Sequence, residues 1–250
     1  MRLPIAIFFD LDDTIISFDG GAEPLWAEVC EMYCQQTDRF PLQQLRDAIF
    51  RSAKWYWSDQ ERHRIGRLNI VPARREVVKL AFQELGVSDF TDAYQIADEF
   101  SAKRLERISL FPEARETLQF LAQQGIKLAL VTNGNTAEQN CKIDRFDLRP
   151  YFEAVFIEGE LGFGKPDQRV YLTALERLDV SPSEVWMVGD NLEWDVAAPQ
   201  QLGIYGIWHD YRKKGLPESC PVIPDRIIHT ISELVTPEEC NAAVVRSVKS

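Results

Sequence analysis

Four short apolar runs constrain the fold of this chain more than any other feature, because polar residues follow each run where a parallel strand would expose its carboxyl end. The runs cover residues 5–9, 127–131, 185–188 and 204–208, and Ala154–Ile157 adds a fifth. Helical patterns separate the later runs. This alternation predicts an α/β fold with a doubly wound parallel sheet, in which the runs lie side by side.

A long insertion separates the first run from the second, and it exceeds the usual length of a βα connection. Apolar residues recur in it at helical spacing, and residues 92–110 are expected to form its last helix. We therefore predict two domains: a core of residues 1–16 and 110–250, and an inserted helical cap of residues 17–109. Pro112 is expected at the first position of the helix that follows the insertion.

The first run ends in a pair of acids. Asp10 and Asp12 are two residues apart, and such residues project from the same side of an extended chain. They would emerge at the carboxyl edge of the sheet, where ligands bind in open α/β folds. Two unpaired carboxylates would repel each other unless a cation lies between them, or unless they divide the roles of nucleophile and acid/base. An acidic turn after a buried strand is the simpler alternative.

The second run leads into Thr132-Asn133-Gly134. A hydroxyl, an amide and a glycine N–H at one place can bind an anionic oxygen, and Gly134 permits close approach of the backbone. The helix expected around Ala137 would present its N-terminus to the same anion. These residues suit a phosphate group, although ordinary turns use the same residue types.

Two further segments carry charges toward the same edge. Lys165 follows a glycine-rich stretch, and it could bridge an aspartate and a phosphate oxygen or be a solvated surface residue. Asp190 follows the third run and should emerge at the same edge as Asp10, where carboxylate oxygens suit Mg²⁺. Asp195 is expected to open the next helix, where an acid also has a purely structural use.

The composition limits the possible partners. The formal net charge is −11, so neither nucleic acid nor an anionic membrane is expected to bind, and an anionic substrate needs a local positive site. No apolar run reaches the length of about 18 residues that a membrane helix needs. Five scattered cysteines indicate reduced thiols. We therefore expect a cytoplasmic protein, either a monomer or a homodimer, that binds a small molecule.

The order of these motifs resembles that of a known family. As a set they are similar to the four signature motifs of the haloacid dehalogenase (HAD) superfamily, and the insertion resembles a type C1 cap. The resemblance is carried by Asp10-x-Asp12-x-Thr14, Thr132-Asn133, Lys165-Pro166 and Gly189-Asp190-x-x-x-x-Asp195. Residues 132–134 with Gln139 and Lys142 also resemble a subgroup containing nucleotidases and N-acylneuraminate-9-phosphatases.

This resemblance implies a Mg²⁺-dependent phosphatase that hydrolyses the phosphomonoester of a small metabolite through an aspartyl-phosphate. Asp10 would be the nucleophile, and Asp12 would be the general acid and base. Thr132, Asn133 and Lys165 would bind the transferring phosphate.

The resemblance also implies a set of metal ligands. The Asp10 carboxylate, the Asp12 backbone carbonyl and the Asp190 carboxylate would hold Mg²⁺. Asp195 would act nearby, through water or by holding Lys165.

Two alternatives to a phosphatase keep the same fold. A sugar phosphomutase would retain all of these residues, and a catalytically silent binding module belongs to a different functional class. Dehalogenases of the family resemble one another in lacking an acid at the position of Asp12, because halide leaves without a proton. The acid at this position therefore favours phosphoryl transfer.

The cap carries the candidates for substrate specificity. Trp55 and Trp57 could stack on a base or sugar, and Arg62 and Arg64 could bind an acidic group of the substrate. The alternative is that aromatic residues at helical spacing pack inside the cap while its basic residues face water.

Overall fold

The computed structural model of the protein describes residues 3–18 and 22–235. The chain divides into two compact units, one formed by Met1–Ser17 with Ser109–Ser250 and the other by Phe18–Ile108. Each boundary lies one residue from the boundary expected from the sequence.

The first unit is built on a six-stranded parallel sheet, which confirms the predicted fold class. The strands, in chain order, are β1 (Ala6–Phe9), β2 (Ile16–Ser17), β3 (Ser109–Leu110), β4 (Lys127–Thr132), β5 (Ala154–Ile157), β6 (Val185–Gly189), β7 (Tyr205–His209) and β8 (Arg226–Ile228). The sheet has the order β5-β4-β1-β6-β7-β8, and each neighbouring pair in it is parallel. Each of the five apolar runs therefore forms a strand of this sheet.

The central strand β1 fixes the position of the site. Phe9, its last residue, lies opposite Leu130 of β4 and Val188 of β6. These three strands consequently end at nearly the same level of the sheet, and the polar residues that follow them lie together at one edge. All four residues of β1 are fully buried, as expected for the centre of a covered parallel sheet.

Helices connect the strands and form the second unit. The α-helices, in chain order, are α1 (Ala22–Gln36), α2 (Leu42–Ser58), α3 (Gln60–Leu68), α4 (Ile70–Glu84), α5 (Thr91–Arg107), α6 (Ala114–Gln123), α7 (Thr136–Arg145), α8 (Glu158–Leu161), α9 (Gln168–Leu178) and α10 (Ala198–Gln200). A π-helix spans Leu192–Ala197, and short 3-10 helices span Arg149–Tyr151, Pro182–Glu184 and Ile231–Leu234. In the described ranges, none of the helices has the length and apolarity needed to cross a membrane.

The second unit has an apolar core of its own, formed by α1, α2, α4 and α5. Trp26 of α1 stacks on Phe100 of α5, with ring centroids 3.7 Å apart and planes 6° from parallel. Cys30 is fully buried in the same core. It therefore packs as a small apolar residue.

Two expected helix ends are wrong. α5 stops at Arg107, because Ile108 takes an extended backbone and Leu110 pairs with Ile16 in a two-stranded antiparallel ladder. α6 begins at Ala114, two residues after Pro112. Pro112 therefore belongs to the turn before the helix.

Candidate active site

A buried ion pair lies at the carboxyl end of β1. The ammonium Nζ of Lys165 lies 2.7 Å from Oδ1 of Asp10 and 2.6 Å from Oδ1 of Asp195. The side chains of Lys165 and Asp195 are 2% and 1% exposed. Lys165 is therefore not the solvated surface lysine of the simpler alternative, and the structure brings it together with two of the predicted aspartates.

The third carboxylate of this cluster is that of Asp190. Ligand oxygens of Asp10, Asp190 and Asp195 all lie within 4.8 Å of one another. Burial raises the pKa of Asp190 to about 9, and the charges of Asp10 and Asp195 add to the effect. Burial also raises the pKa of Asp10 to about 7, although Lys165 acts in the opposite direction.

The donor set of this cluster fits a divalent cation. Three carboxylates face one ammonium, so two negative charges are left without compensation when all three acids are ionised. Clustered carboxylate oxygens are the ligands that Mg²⁺ prefers. Both oxygens of Asp195 already accept hydrogen bonds, one from Lys165 and one from the backbone N–H of Asn191 at 3.0 Å. The second oxygen of Asp10 has only a long contact of 3.5 Å with the Thr14 hydroxyl, so Asp10 and Asp190 are better placed to bind an ion than Asp195.

Gly189 makes room for Asp195. A Cβ at Gly189 would lie 2.2 Å from Cγ of Asp195, which is shorter than any real contact. The lack of a side chain at the end of β6 thus lets Asp195 fold back under the strand and reach Lys165. The Asn191 side chain caps the π-helix that carries Asp195, by accepting from the N–H groups of Glu193 and Trp194.

Asn133 is locked to the backbone of Lys165. Its Nδ2 donates to the Lys165 carbonyl at 2.6 Å, and its Oδ1 accepts from the Lys165 N–H at 2.8 Å. The amide of Asn133 therefore fixes the loop that carries the lysine. Its role as a phosphate ligand stays a prediction.

The expectation that Gly134 offers its N–H to the substrate is wrong. This N–H donates to Oε2 of the buried Glu158 at 3.0 Å. The first N–H groups of α7 are likewise occupied, since those of Ala137 and Glu138 donate to the side chain of Asn135. Glu158 was not identified from the sequence, and an acid at the end of an apolar strand was its only signal.

Asp12 is held by residues of α7. Nζ of Lys142 lies 2.9 Å from each carboxylate oxygen of Asp12, and Nε2 of Gln139 lies 3.0 Å from Oδ2. Gln139 also donates to Oγ1 of Thr132 at 2.6 Å. From the sequence, only the family resemblance indicates a role for Gln139 and Lys142. The structure shows that both contact predicted site residues.

The turn directly after Asp12 has a constrained shape. Asp13 takes a left-handed backbone with φ 58°. Its carbonyl lies 3.0 Å from Nδ1 of His209, which must be the protonated nitrogen because a carbonyl only accepts. Burial lowers the pKa of His209, so the imidazole is neutral near pH 7. No pattern in the sequence predicts this contact.

The predicted specificity residues make contacts with their neighbours in the second unit. The Arg62 guanidinium lies 3.8 Å from the ring centroid of Trp55 and donates to its carbonyl. Trp57 meets His63 edge-on, and Arg64 binds Glu61 through two hydrogen bonds. The exposed Arg64 agrees with the packing alternative, but Trp55 is 53% exposed and does not pack inside the unit. Substrate contact by these four residues stays a prediction.

Comparison with known families agrees with this geometry. Residues 6–203 match the family described as hydrolase, haloacid dehalogenase-like hydrolase. The chain belongs to this family. The match includes all of the core motifs and the insertion.

Several relatives in this family are phosphatases. The chain is 36% identical to a phosphoserine phosphatase of Thermus thermophilus over 168 residues, which are 67% of this chain and 66% of that protein. It is 28% identical to a phosphorylated carbohydrates phosphatase of Thermotoga maritima over 92% of this chain and 99% of that protein. The chain therefore spans slightly less than two thirds of the first relative and nearly all of the second.

The predicted subgroup is also among the relatives. An N-acylneuraminate-9-phosphatase of Rattus norvegicus and a pyrimidine 5′-nucleotidase of Escherichia coli are each 25% identical, over 92% and 91% of this chain and 91% and 95% of the two proteins.

Solved HAD structures share the fold. A protein of Bacillus subtilis assigned as a HAD-hydrolase and solved with magnesium aligns with a TM-score of 0.70 at 22% identity, over 93% of this chain and 97% of that chain. A 2-haloacid dehalogenase of Pseudomonas syringae aligns with a TM-score of 0.61 at 28% identity, over 97% of this chain and 100% of that chain.

Proposed function

We propose that the protein is a Mg²⁺-dependent phosphatase that hydrolyses phosphomonoesters of small metabolites through an aspartyl-phosphate. The observation that carries this proposal is the buried contact of Asp10 with Lys165 at 2.7 Å, beside Asp190 and with an acid two residues further along the chain. The named phosphatases among the relatives support the same reaction class.

In the first step, an oxygen of the Asp10 carboxylate attacks phosphorus, and the bond from phosphorus to the ester oxygen breaks. The electron pair of that bond stays on the leaving oxygen, which takes a proton from the Asp12 carboxyl group. Lys165 offers positive charge to the transferring group. The products of this step are the free alcohol and an aspartyl-phosphate.

In the second step, water attacks the phosphorus of the aspartyl-phosphate. Asp12, now a carboxylate, accepts a proton from the water, and the bond between phosphorus and the Asp10 oxygen breaks. Inorganic phosphate leaves, while Asp10 is restored as a carboxylate and Asp12 as an acid. Two moderate barriers thereby replace one high barrier.

Asp10 and Asp190, with the backbone carbonyl of Asp12, would hold the metal. A bound Mg²⁺ supplies charge that neutralises phosphoryl oxygens, so that a carboxylate can approach an anionic ester. This assignment is supported by the carboxylate oxygens of Asp10 and Asp190, which lie within 4.8 Å of each other. Burial raises the pKa of both groups, and a bound cation would favour their ionised forms.

A dehalogenase is the second candidate, because the similar structure from Pseudomonas syringae is a 2-haloacid dehalogenase. Halide needs no proton when it leaves, so an acid/base residue at position 12 would have no use in that reaction. The ordered contacts of Asp12 with Lys142 and Gln139 favour the phosphatase.

The proposal is tested with a panel of substrates. Purified protein is given phosphoserine, glyceraldehyde 3-phosphate, nucleoside monophosphates, hexose phosphates and 2-chloropropanoate, with Mg²⁺ or with EDTA. We expect release of phosphate from at least one ester with Mg²⁺ only. Asp10→Asn should lower this activity by at least about 10⁴-fold, as expected for loss of a nucleophile, with an unchanged circular dichroism spectrum.

The other outcomes separate the alternatives. Halide release without phosphate release would indicate a dehalogenase, and isomerisation of a hexose phosphate faster than hydrolysis would indicate a mutase. A folded protein that converts no member of the panel would support the silent binding module.

A further inference from the structure

One face of α7 carries two buried polar residues that the mechanism above does not use. Gln139 and Lys142 lie three positions apart, hence on the same face of the helix, and each is 2% exposed. A lysine is rarely buried unless its charge is paired, because desolvation of an ammonium is costly. Both residues contact other elements of the site, so their burial has a specific reason.

The Lys142 ammonium fixes the Asp12 carboxylate. Its distance to both oxygens is 2.9 Å, and this symmetrical contact restrains the position and the plane of the group. The Asp12 side chain is 25% exposed. Without the contact to Lys142 it could therefore adopt several rotamers. Lys142 also lies 3.5 Å from Glu138, one turn earlier in α7. The ammonium is therefore held from its own helix while it holds Asp12.

Gln139 connects Asp12 to the end of β4. Its Nε2 is 2.6 Å from the Thr132 hydroxyl oxygen, 3.0 Å from the Asn133 carbonyl and 3.0 Å from Oδ2 of Asp12. The Thr132 hydroxyl accepts this hydrogen bond, and its own proton is directed to the Asn133 carbonyl at 3.5 Å, a long contact that a phosphoryl oxygen can replace. One amide thus sets the orientation of the acid/base residue and of a predicted phosphate ligand together.

We propose that Lys142 and Gln139 are positioning residues for phosphoryl transfer. Lys142 keeps Asp12 where it exchanges a proton with the leaving oxygen and later with water. Gln139 turns the Thr132 hydroxyl proton toward the transferring phosphoryl group. This inference rests on the proposed phosphatase function.

The two residues should differ in how their loss depends on the leaving group. An alkoxide needs the proton of Asp12, whereas p-nitrophenolate is stable enough to leave without it. Loss of Lys142 should therefore slow the hydrolysis of alkyl esters more than that of aryl esters. Loss of Gln139 should slow the hydrolysis of alkyl and aryl esters equally, because Thr132 acts on the phosphoryl group that both kinds of ester contain.

The test compares kcat/KM for p-nitrophenyl phosphate with kcat/KM for the best alkyl ester of the panel. This parameter ends with departure of the leaving group and does not contain the water step. We expect Lys142→Met to lower it by about 10–100-fold for the alkyl ester and by less than about 3-fold for the aryl ester. Gln139→Met should lower it by about 10-fold for both.

A second readout follows the water step. In Lys142→Met, poor alignment of Asp12 should slow hydrolysis of the aspartyl-phosphate. A burst of p-nitrophenolate, up to one equivalent per enzyme, should then precede a slower steady state. Lys142→Arg should restore part of the alkyl activity, since guanidinium also binds a carboxylate through two N–H groups.

Arg145→Met is the matched control. Arg145 lies on the same helix, carries the same charge and is exposed, so its loss should leave the ratio of alkyl to aryl activity unchanged. If the methionine variant at position 142 fails to fold by circular dichroism, the same comparison is made with Lys142→Gln, which keeps a hydrogen-bond donor. Selective loss on the alkyl ester is expected there too.

Two kinds of failure are distinguishable. A wild type that hydrolyses neither ester would remove the proposed function itself. A wild type that hydrolyses both, with folded Lys142 variants that lose both activities equally or lose neither, would overturn the positioning role and leave the phosphatase intact.

Discussion

The two aspartates that we propose to be catalytic are each held by a buried lysine, but in different electrostatic surroundings. At Asp10, one ammonium serves a cluster of three carboxylates whose ligand oxygens lie within 4.8 Å of one another. At Asp12, the partner ammonium lies 2.9 Å from the carboxylate and 3.5 Å from that of Glu138, so one ammonium serves two carboxylates, and the neutral amide of Gln139 completes the contacts. The first site is short of positive charge and suits a cation, whereas the second needs no ion to be ordered.

Removal of the two lysines should separate these sites most strongly. Lys165→Met removes the ammonium that Asp10 and Asp195 share, and we expect the free energy of unfolding to fall by about 3–5 kcal/mol at pH 7 without metal. Lys142→Met leaves a carboxylate that is 25% exposed and should cost about 1–2 kcal/mol. Urea unfolding measures both values.

Addition of Mg²⁺ should affect the two variants differently. A bound cation should restore part of the stability lost in Lys165→Met and little of that lost in Lys142→Met. Equal losses for the two variants, with no effect of Mg²⁺ on either, would show that the two sites are electrostatically alike.

A smaller effect is expected from a change that touches only the Asp10 site. Gly189→Ala puts a methyl group where Cγ of Asp195 lies, 2.2 Å away, and should destabilise the protein by about 1–3 kcal/mol. In the double variant with Asp195→Ala the methyl group has space. The loss of stability in the double variant should therefore be smaller than the sum of the losses in the two single variants. Additive losses would mean that Asp195 does not occupy the space below Gly189.

The smallest effect should come from His209, which contacts the turn directly after Asp12. Burial lowers the pKa of His209, so the unfolded chain binds its proton more readily than the folded protein. The contribution of His209 is therefore present above pH of about 6.5 and is lost as the pH falls below it. His209→Asn, which can still donate to the Asp13 carbonyl, should reduce this loss. Parallel stability curves for the two proteins between pH 7 and 5 would contradict the assignment.

The sheet edge was predictable because its signals are local. Each apolar run stops at a polar residue, and parallel neighbours in register bring Asp10, Thr132 and Asp190 together. The helix ends were less predictable. β2 and β3 are two residues long and exist only through their mutual pairing, so the sequence before Leu110 looks like the continuation of a helix.

The Asp12 contacts could not be derived from sequence patterns. Gln139 and Lys142 look like ordinary solvent-facing residues of a helix, and their partner lies 127 and 130 residues away in the chain. The same holds for Gly134, whose N–H meets Glu158 across 24 residues. Long-range burial determined these roles, and residue type and spacing do not encode it.

The reciprocal pairing of Asn133 with the Lys165 backbone affects how mutagenesis at this position is interpreted. A substitution at 133 releases the neighbouring loop and lets the ammonium drift from Asp10, even if the amide itself never meets the substrate. Weakened substrate affinity in such a variant would therefore not identify a direct ligand. A nonpolar replacement there is better understood as an indirect perturbation of residue 165.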